Sequence, residues 1–344
     1  MPENDIALSD PFKLAEEMEF GDIHFKHDKD SGLNAIIAIH NTRLGPAVGG
    51  CRFYPYASTQ EALYDAMRLA QGMSYKAAIA GLPTGGGKSV IIRPKEIKNR
   101  KALFESFGNF VEQLGGRYVT AVDSGTSVDD MNVIATRTQH VSSTSHTGDP
   151  SPYTALGVRR GMDAALKSKY NKDDLSGIHV VIQGAGHVGY YLAKELHALG
   201  AKLTFSDVNK QALARVIAEF GGEQVNPDAV YDVSCDVFAP CALGGTLNRN
   251  TVARLQTKII VGAANNQLAS PNIAQLLQEK DILYAPDYVV NAGGLMQIEL
   301  VDEKIVLEKV NAIYDTSLDI FGRSQDSGIP TAMTADNMAR AILK

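Results

Sequence analysis

Ile178-His179-Val180-Val181-Ile182-Gln183-Gly184-Ala185-Gly186-His187-Val188-Gly189 decides the fold. A short apolar strand runs into Gly-x-Gly-x-x-Gly, and a helix with Leu192, Leu196 and Leu199 on one face follows. The glycines serve a tight turn, a close backbone approach to a pyrophosphate, and close helix–strand packing. The helix N-terminus offers unpaired N–H groups to the phosphates. Asp207 closes the next apolar run, Lys202–Ser206, 18 positions after Gly189. A carboxylate there accepts hydrogen bonds from an adenosine ribose. With strand, loop, helix and acid in register, Gly184, Ala185, Gly186, His187, Val188, Gly189 and Asp207 read as a dinucleotide site rather than a plain turn. The acid repels a 2′-phosphate and favours NAD over NADP; Lys210 nearby pulls slightly the other way.

Outward from this stretch the same pattern repeats. Asp236–Ala239, Ile259–Gly262 and Ile282–Ala285 are further short apolar strands between helices, which predicts a parallel, doubly wound sheet. Beyond Asn291 the chain reads as mostly helical. Gly148-Asp149-Pro150-Ser151-Pro152 reads as a linker, with Ser151 as N-cap and Pro152 as first residue of a helix from Tyr153 to about Leu166. Upstream, Ile23–His27 and Asn34–His40 form a hairpin about Asp30-Ser31-Gly32. Ser58 and Glu61 spell a capping box before a helix carrying Leu63, Met67, Ala70 and Met73. Ser89–Ile92 is a short strand, and Leu103, Phe107, Phe110 and Leu114 mark a helix ended by Gly115-Gly116. Arg117–Ala121 is a strand that delivers Asp123.

Length and composition bound the function. The 344 residues suggest two domains. With 44% hydrophobic and 21% charged residues, the chain is an ordinary globular protein. A net charge of −6 suits neither a phosphate backbone nor an anionic membrane, so no nucleic-acid or membrane partner is expected. The start, MPENDIALSDPF, is acidic and without a long apolar stretch, so no signal peptide is expected there. No run of about 18 apolar residues predicts a membrane span. Cys51, Cys235 and Cys241 lack CxxC spacing, which fits a reducing cytoplasm.

Two further glycine clusters carry chemistry. Gly81–Ser89 tempts a P-loop reading, but Leu82 stands where the first glycine is needed and a strand follows Lys88-Ser89. What remains is a lysine on a glycine loop beside an apolar strand, where an ammonium pKa can fall; taken alone, a solvated surface lysine is the plainer reading. Gly45–Arg52 reads as a similar loop. His24 and His27 face opposite sides of a strand, and no metal is expected. Cys241, after Pro240, lines the expected cofactor crevice with nothing beside it to activate a thiolate.

The order of motifs resembles a family. Leu44–Arg52, Gly72-Met73-Ser74-Tyr75-Lys76, Gly85-Gly86-Gly87-Lys88 and Asp149-Pro150-Ser151-Pro152-Tyr153-Thr154-Ala155 resemble the glutamate, leucine, phenylalanine and valine dehydrogenases. So do Ala239-Pro240-Cys241-Ala242-Leu243-Gly244, Gly262-Ala263-Ala264-Asn265-Asn266, Tyr284–Tyr288 and Asn291-Ala292-Gly293-Gly294. The resemblance implies an α/β fold of two domains with a cleft between them, the second a Rossmann-like doubly wound parallel sheet. The first, substrate-binding and oligomerisation domain is then 1–147 and the NAD-binding domain 148–320, with 321–344 returning to the first. Residues 148–152 and 287–294 become hinges.

The resemblance also implies roles. Lys76 binds the substrate α-carboxylate, helped by Gly49 and Gly50; Lys88 and Asp123 are catalytic; Asn291 lies near the amino-acid backbone. Thr154, Cys241, Ala242, Ala263, Ala264 and Asn265 join the glycine loop around NAD. Two lysines meeting over one anionic substrate lower each other's pKa, so Lys88 activates water against an imine while Asp123 shuttles protons. The implied activity is reversible oxidative deamination of an L-amino acid to the 2-oxo acid and ammonia, in a homo-oligomer. The rival is a non-catalytic NAD-binding regulator, which needs none of Lys76, Lys88 and Asp123. A hydroxy-acid dehydrogenase wants a His–carboxylate pair that the sequence does not offer.

In the glutamate branch, lysine and serine at the positions of Val48 and Ile298 meet the side-chain carboxylate. Val48, Leu295 and Ile298 give such a group no partner, so leucine or valine, then phenylalanine, is expected. Measured side by side, glutamate should turn over two to four decades less efficiently than the best apolar substrate. A buried charge without its partner costs about 3–5 kcal/mol. Glutamate as the best substrate of the panel overturns this pocket.

Overall fold

The computed structural model describes residues 10–144, 148–300 and 302–344. By contacts the chain divides into two units, Met1–Gly148 with Ala339–Lys344, and Asp149–Met338. The first division falls within the linker read from the sequence. The C-terminal return begins at Ala339 rather than at 321, and the segment 287–294 lies wholly inside the second unit.

The first unit is a five-stranded sheet with helices on both faces. Its elements are α1 (Pro11–Glu17), β1 (Asp22–Asp28), β2 (Leu33–Asn41), β3 (Ala47–Tyr54), α2 (Thr59–Ile79), β4 (Gly85–Ile92), α3 (Arg100–Glu112), β5 (Tyr118–Val122) and α4 (Val128–Ala135). The strand order is β1-β2-β4-β3-β5; β2 is antiparallel to β1 and β4, and β3 is parallel to β4 and β5. Side chains alternate along β2 as a strand requires. Ile36 and Ala38 pack with Ala62, Leu63, Ala66, Met67 and Ala70 of α2. Leu33, Ile37 and Ile39 pack with Phe104 and Phe107 of α3 and with Tyr118. Burying both faces explains the near-continuous apolar run of β2.

The second unit comprises α5 (Ser151–Tyr170), β6 (His179–Gln183), α6 (His187–Ala198), β7 (Lys202–Ser206), α7 (Lys210–Phe220), β8 (Glu223–Gln224), β9 (Val237–Pro240), α8 (Arg249–Arg254), β10 (Ile259–Ile260), α9 (Asn272–Glu279), β11 (Leu283–Tyr284), α10 (Asp287–Val290), α11 (Gly293–Glu299), α12 (Glu303–Asn311) and α13 (Ile313–Ser327). A last helix, α14 (Thr331–Leu343), contains the second division. Its sheet is parallel throughout, in the order β11-β10-β9-β6-β7-β8. Counted from β6 this is 6-5-4-1-2-3, the dinucleotide-binding order read from its other edge. The direction of winding reverses between β6 and β9, and ligands bind at the carboxyl ends there. No helix among the described residues is long and apolar enough to cross a membrane.

Local readings shift in instructive ways. Both upstream glycine clusters, expected as loops, lie mainly in strands: Ala47–Tyr54 is β3 and Gly85–Ile92 is β4. Their glycines answer packing. A Cβ on Gly86 would stand 2.0 Å from the Ser74 amide nitrogen of α2. Ser58 does cap α2 by accepting from Glu61 N–H, but the Glu61 carboxylate takes the Ala57 amide rather than closing a reciprocal box. Helix α5 starts one residue early, with Pro150 at the N-cap and the Asp149 carboxylate accepting from Ser151 N–H. It runs on to Tyr170, where Asn171 adopts a left-handed backbone. Strands β10 and β11 are two residues each, shorter than the sequence suggests, and β8 is an added edge strand.

A pair of glycine substitutions separates packing from propensity. Gly86→Ala should lower stability by at least about 1–3 kcal/mol, because backbone on both sides must move. Gly322→Ala, in the exposed face of α13 with no atom within 4 Å of the new methyl, should raise it by about 0.5–1 kcal/mol. Thermal and urea unfolding of the two variants check both signs.

Candidate active and dinucleotide sites

Lys88 is the centre of the first unit's polar site. It occupies β4 opposite Ala38 of β2 and is 6% exposed, which removes the surface-lysine reading. Its Nζ lies 2.8 Å from Oδ2 of Asp123, the residue that follows β5. Gly50 of β3 forms the floor. A Cβ there would meet Asp123 Cβ at 2.7 Å and Lys88 Nζ at 3.3 Å, so only glycine lets the pair close. The β3–β4 pairing skips Gly49 and Gly50 between Val48↔Gly86 and Cys51↔Ser89. Buried Tyr118 donates to the Gly49 carbonyl at 2.6 Å.

Electrostatics keeps Asp123 a carboxylate. Burial pushes the Asp123 carboxyl up, but Lys88 and then Arg52 outweigh it and hold the group below the ordinary carboxylate value. The stability this contributes is full above the unfolded value near 4 and is lost as pH falls through the lowered folded one. The direct partner of Lys88 is thus the Asp123 carboxylate, the other residue read as catalytic from the sequence. Lys76 sits half-buried in the last turn of α2, and Val48 is 3% exposed in the core.

In the second unit the expected cofactor residues gather at the switch point. The loop Gly184–Gly186 leaves β6, and a Cβ on Gly184 would meet Ala242 N at 2.7 Å. Cys241 N–H donates to the Gln183 carbonyl at 2.7 Å, and Ala264 N–H to the Pro240 carbonyl at 2.9 Å. Asp207 is half-buried, its carboxylate accepting from Ala185 N–H at 2.6 Å and Asn209 N–H at 2.7 Å. It braces the glycine loop, with lone pairs left for a ribose. Gly186 caps α6 with no side-chain bond, and the His187 side chain is 87% exposed beside it, 4.0 Å from Asp149; Val188 is half-buried. Open helix amides and a glycine cradle that a Cβ would fill fit a pyrophosphate.

Around this loop Asn291 is 5% exposed and donates through Nδ2 to the Ala263 carbonyl at 3.1 Å and Asn265 Oδ1 at 2.9 Å. Its Oδ1 has no hydrogen-bond partner, a buried acceptor open to a ligand donor. Thr154 in α5 packs on α11, its Oγ1 2.4 Å from where a Gly294 Cβ would stand. Leu295 and Ile298 are half-buried on α11. Burial pushes the Cys241 thiol up to about 12, so it is inert. Among the described residues no group of three or more His, Cys, Asp or Glu could hold a metal.

Sequence reading missed two kinds of residue. Gln267, fully buried, donates to the carbonyls of Gly262 and Ala264 and fixes the loop carrying Ala263. Arg52 and Asp65 tie Asp123 to α2. Contacts distant in sequence reveal Arg52 and Asp65, whereas Gln267 shows its role only once the carbonyls it meets are known.

Lysine–carboxylate pair and parallel dinucleotide sheet together define an α/β dehydrogenase, and family comparison makes the class specific. The chain matches the dimerisation domain of the Glu/Leu/Phe/Val dehydrogenases over residues 18–140 and the Glutamate/Leucine/Phenylalanine/Valine dehydrogenase domain over 149–215 and 206–304. It belongs to that family. It is 48% identical to the leucine dehydrogenase of Thermoactinomyces intermedius, over 95% of this chain and 92% of that one. It is also 48% identical to the valine dehydrogenase of Streptomyces coelicolor, over 91% and 89%. The crystal structure of L-tryptophan dehydrogenase from Nostoc punctiforme superposes with a TM-score of 0.86 at 41% identity, covering 96% and 98% of the two chains.

The Lys88→Ala variant should remain folded by circular dichroism and lose about 10²–10⁴-fold in kcat at saturating amino acid and NAD. A folded variant keeping more than about a tenth of the rate removes Lys88 from the chemistry.

Proposed function

We propose that this chain catalyses the NAD-dependent, reversible oxidative deamination of an L-amino acid with an apolar side chain, leucine or valine first and phenylalanine second. The products are the 2-oxo acid and ammonia. The observation that carries the reading is the buried Lys88–Asp123 pair closed over Gly50. A non-catalytic dinucleotide regulator has no use for it. The relatives' names, leucine and valine dehydrogenase, support the substrate class.

Each residue has a task. Lys76 neutralises the substrate α-carboxylate beside Gly49 and Gly50. The acceptor Oδ1 of Asn291 takes a hydrogen bond from the α-amine N–H. Asp123 accepts a proton released by the amine, and Lys88, once neutral, takes one from the water that attacks the imine carbon. When bound, NAD would supply the two-electron oxidation, as acceptor of the α-carbon hydride. Gly184–Gly189 and Asp207 would hold its phosphates and adenosine ribose, with Cys241, Ala242, Ala263, Ala264, Asn265 and Thr154 along its length. Val48, Leu295 and Ile298 supply apolar surface for the side chain.

The dimerisation-domain match supports assembly with further copies of the chain. Three free cysteines suit a reducing cytoplasm.

Absorbance of NADH, followed with a panel of L-amino acids and then with 2-oxo acids plus ammonia, tests the reading. NAD should be preferred over NADP, and Asp207→Ser should narrow the gap. No turnover with any apolar amino acid, or equal efficiency of the two cofactors in the unaltered chain, overturns the respective half.

A further inference from the structure

We propose that Arg52 and Asp65 are positioning residues for the Lys88–Asp123 pair. The guanidinium of Arg52, held at its far side by Asp65, fixes the Asp123 carboxylate and sets the pH range in which the pair works. The inference rests on the reading of Asp123 as the acid–base group.

The geometry is a chain of ion pairs across three elements. Arg52 in β3 lies on the same face as Gly50, two residues before it. Its Nε donates to Asp123 Oδ2 at 3.1 Å, the same oxygen that Lys88 Nζ meets at 2.8 Å. Its NH1 donates to Asp65 Oδ2 of α2 at 2.8 Å. Asp65 is held in turn by the Tyr56 hydroxyl at 2.6 Å and by Arg68 NH2 on Oδ1 at 3.2 Å. The Arg52 and Asp65 side chains are 22% and 17% exposed, so solvent screens this link only in part. A planar fork with separated donors can serve two carboxylates at once; an ammonium on a flexible stem cannot fix both.

The two residues are opposed electrostatic levers. Lys88 from β4 and Arg52 from β3 touch Asp123, and Cys51 of β3 and Tyr118 of β5 lie near enough to interact with it electrostatically. Burial pushes the Cys51 thiol up to about 12 and raises the Tyr118 phenol, so both stay neutral while the pair works. Behind Arg52 stand Asp65, Arg68 and Tyr56. Burial raises the Asp65 carboxyl, but Tyr56, Arg52 and Arg68 outweigh it and keep it ionised. Burial and the bond to Asp65 raise the Tyr56 phenol, which stays protonated. Arg52 thus helps protons leave the site, and Asp65 tempers it. Deleting the positive charge should make the pair hold protons to higher pH, and deleting the negative charge should do the reverse. The titration belongs to the coupled pair rather than to one residue.

The experiment is steady-state deamination across pH with the best amino acid of the panel, in Arg52→Gln, Arg52→Lys, Asp65→Asn and Asp123→Asn. Folding is checked by circular dichroism and by NADH binding, read from its fluorescence. Arg52→Gln and Arg52→Lys should both lose about 10- to 100-fold in kcat with KM within about threefold, because the carboxylate is misplaced rather than the substrate unbound. The pH profile of kcat should move up in Arg52→Gln, down in Asp65→Asn, and stay in place in Arg52→Lys, which keeps the charge. Full kcat in Arg52→Lys overturns the fork. Profiles that stay fixed, or move the same way in Arg52→Gln and Asp65→Asn, reduce both residues to scaffolding and overturn the proposal. Near-isosteric Asp65→Asn keeps that test available if Arg52→Gln does not fold. A folded Asp123→Asn that keeps more than about a tenth of the rate overturns the acid–base reading beneath it, an outcome distinct from the other two.

Discussion

Where β4 passes α2, the two backbones come so close that a Cβ on Gly86 would stand 2.0 Å from the Ser74 amide. Much of the first unit follows from that approach. It brings the last turn of α2, with Lys76, toward the strand that carries Lys88 two residues beyond Gly86 and on the same face. A larger residue at 86 would push helix and strand apart. The same economy operates at Gly50, where the missing side chain is the space in which the lysine and the carboxylate meet. Glycine weakens a strand interior by entropy and lost packing, and here that cost is accepted where chemistry needs room.

The buried pair is itself an expense. Desolvating an ammonium and a carboxylate costs several kcal/mol per ion before their attraction returns anything, and a well-packed apolar pair is often as stable. A structural explanation of Lys88 and Asp123 is therefore weak. Arg52 strengthens the point: with Asp65 as its own counter-charge, it sets a second, separately anchored cation on the oxygen that Lys88 already meets, more apparatus than one buried ion pair needs.

How much of this was legible depends on how local each signal is. The Gly184–Gly189 loop was readable because strand, turn and helix are contiguous and Asp207 lies a short step beyond. The parallel sheet followed from alternating short apolar runs, although β8, exposed along both residues, left no apolar trace. The clusters at 45–52 and 81–89 misled, because glycine's local meaning is a turn whereas its meaning in β3 and β4 comes from Ser74, Asp123 and Lys88. Lys88 and Asp123 came from motif resemblance, and their direct contact is seen only in the fold. Arg52 was invisible as a positioning group, since its partners lie 13 and 71 positions away. Gln267 escaped for a different reason: a glutamine announces no role until the carbonyls it serves are known.

The two units solve the problem of a functional site by different means. In the second, open helix amides and short loops at the carboxyl ends of β6, β9 and β10 do the work, so the sheet order alone fixes where a dinucleotide can lie. In the first, the groups proposed to react, Lys88 and Asp123, stand on or directly after strands. A lysine on a strand paired on both edges, as β4 is by β2 and β3, has little freedom to swing away. That rigidity suits the proton transfer proposed for the pair, whose 2.8 Å separation would have to hold while charge moves. A loop lysine would need its position restored at each turnover. The strand placement, at first sight the largest departure from the sequence reading, is therefore the feature that best suits Lys88 to its proposed work.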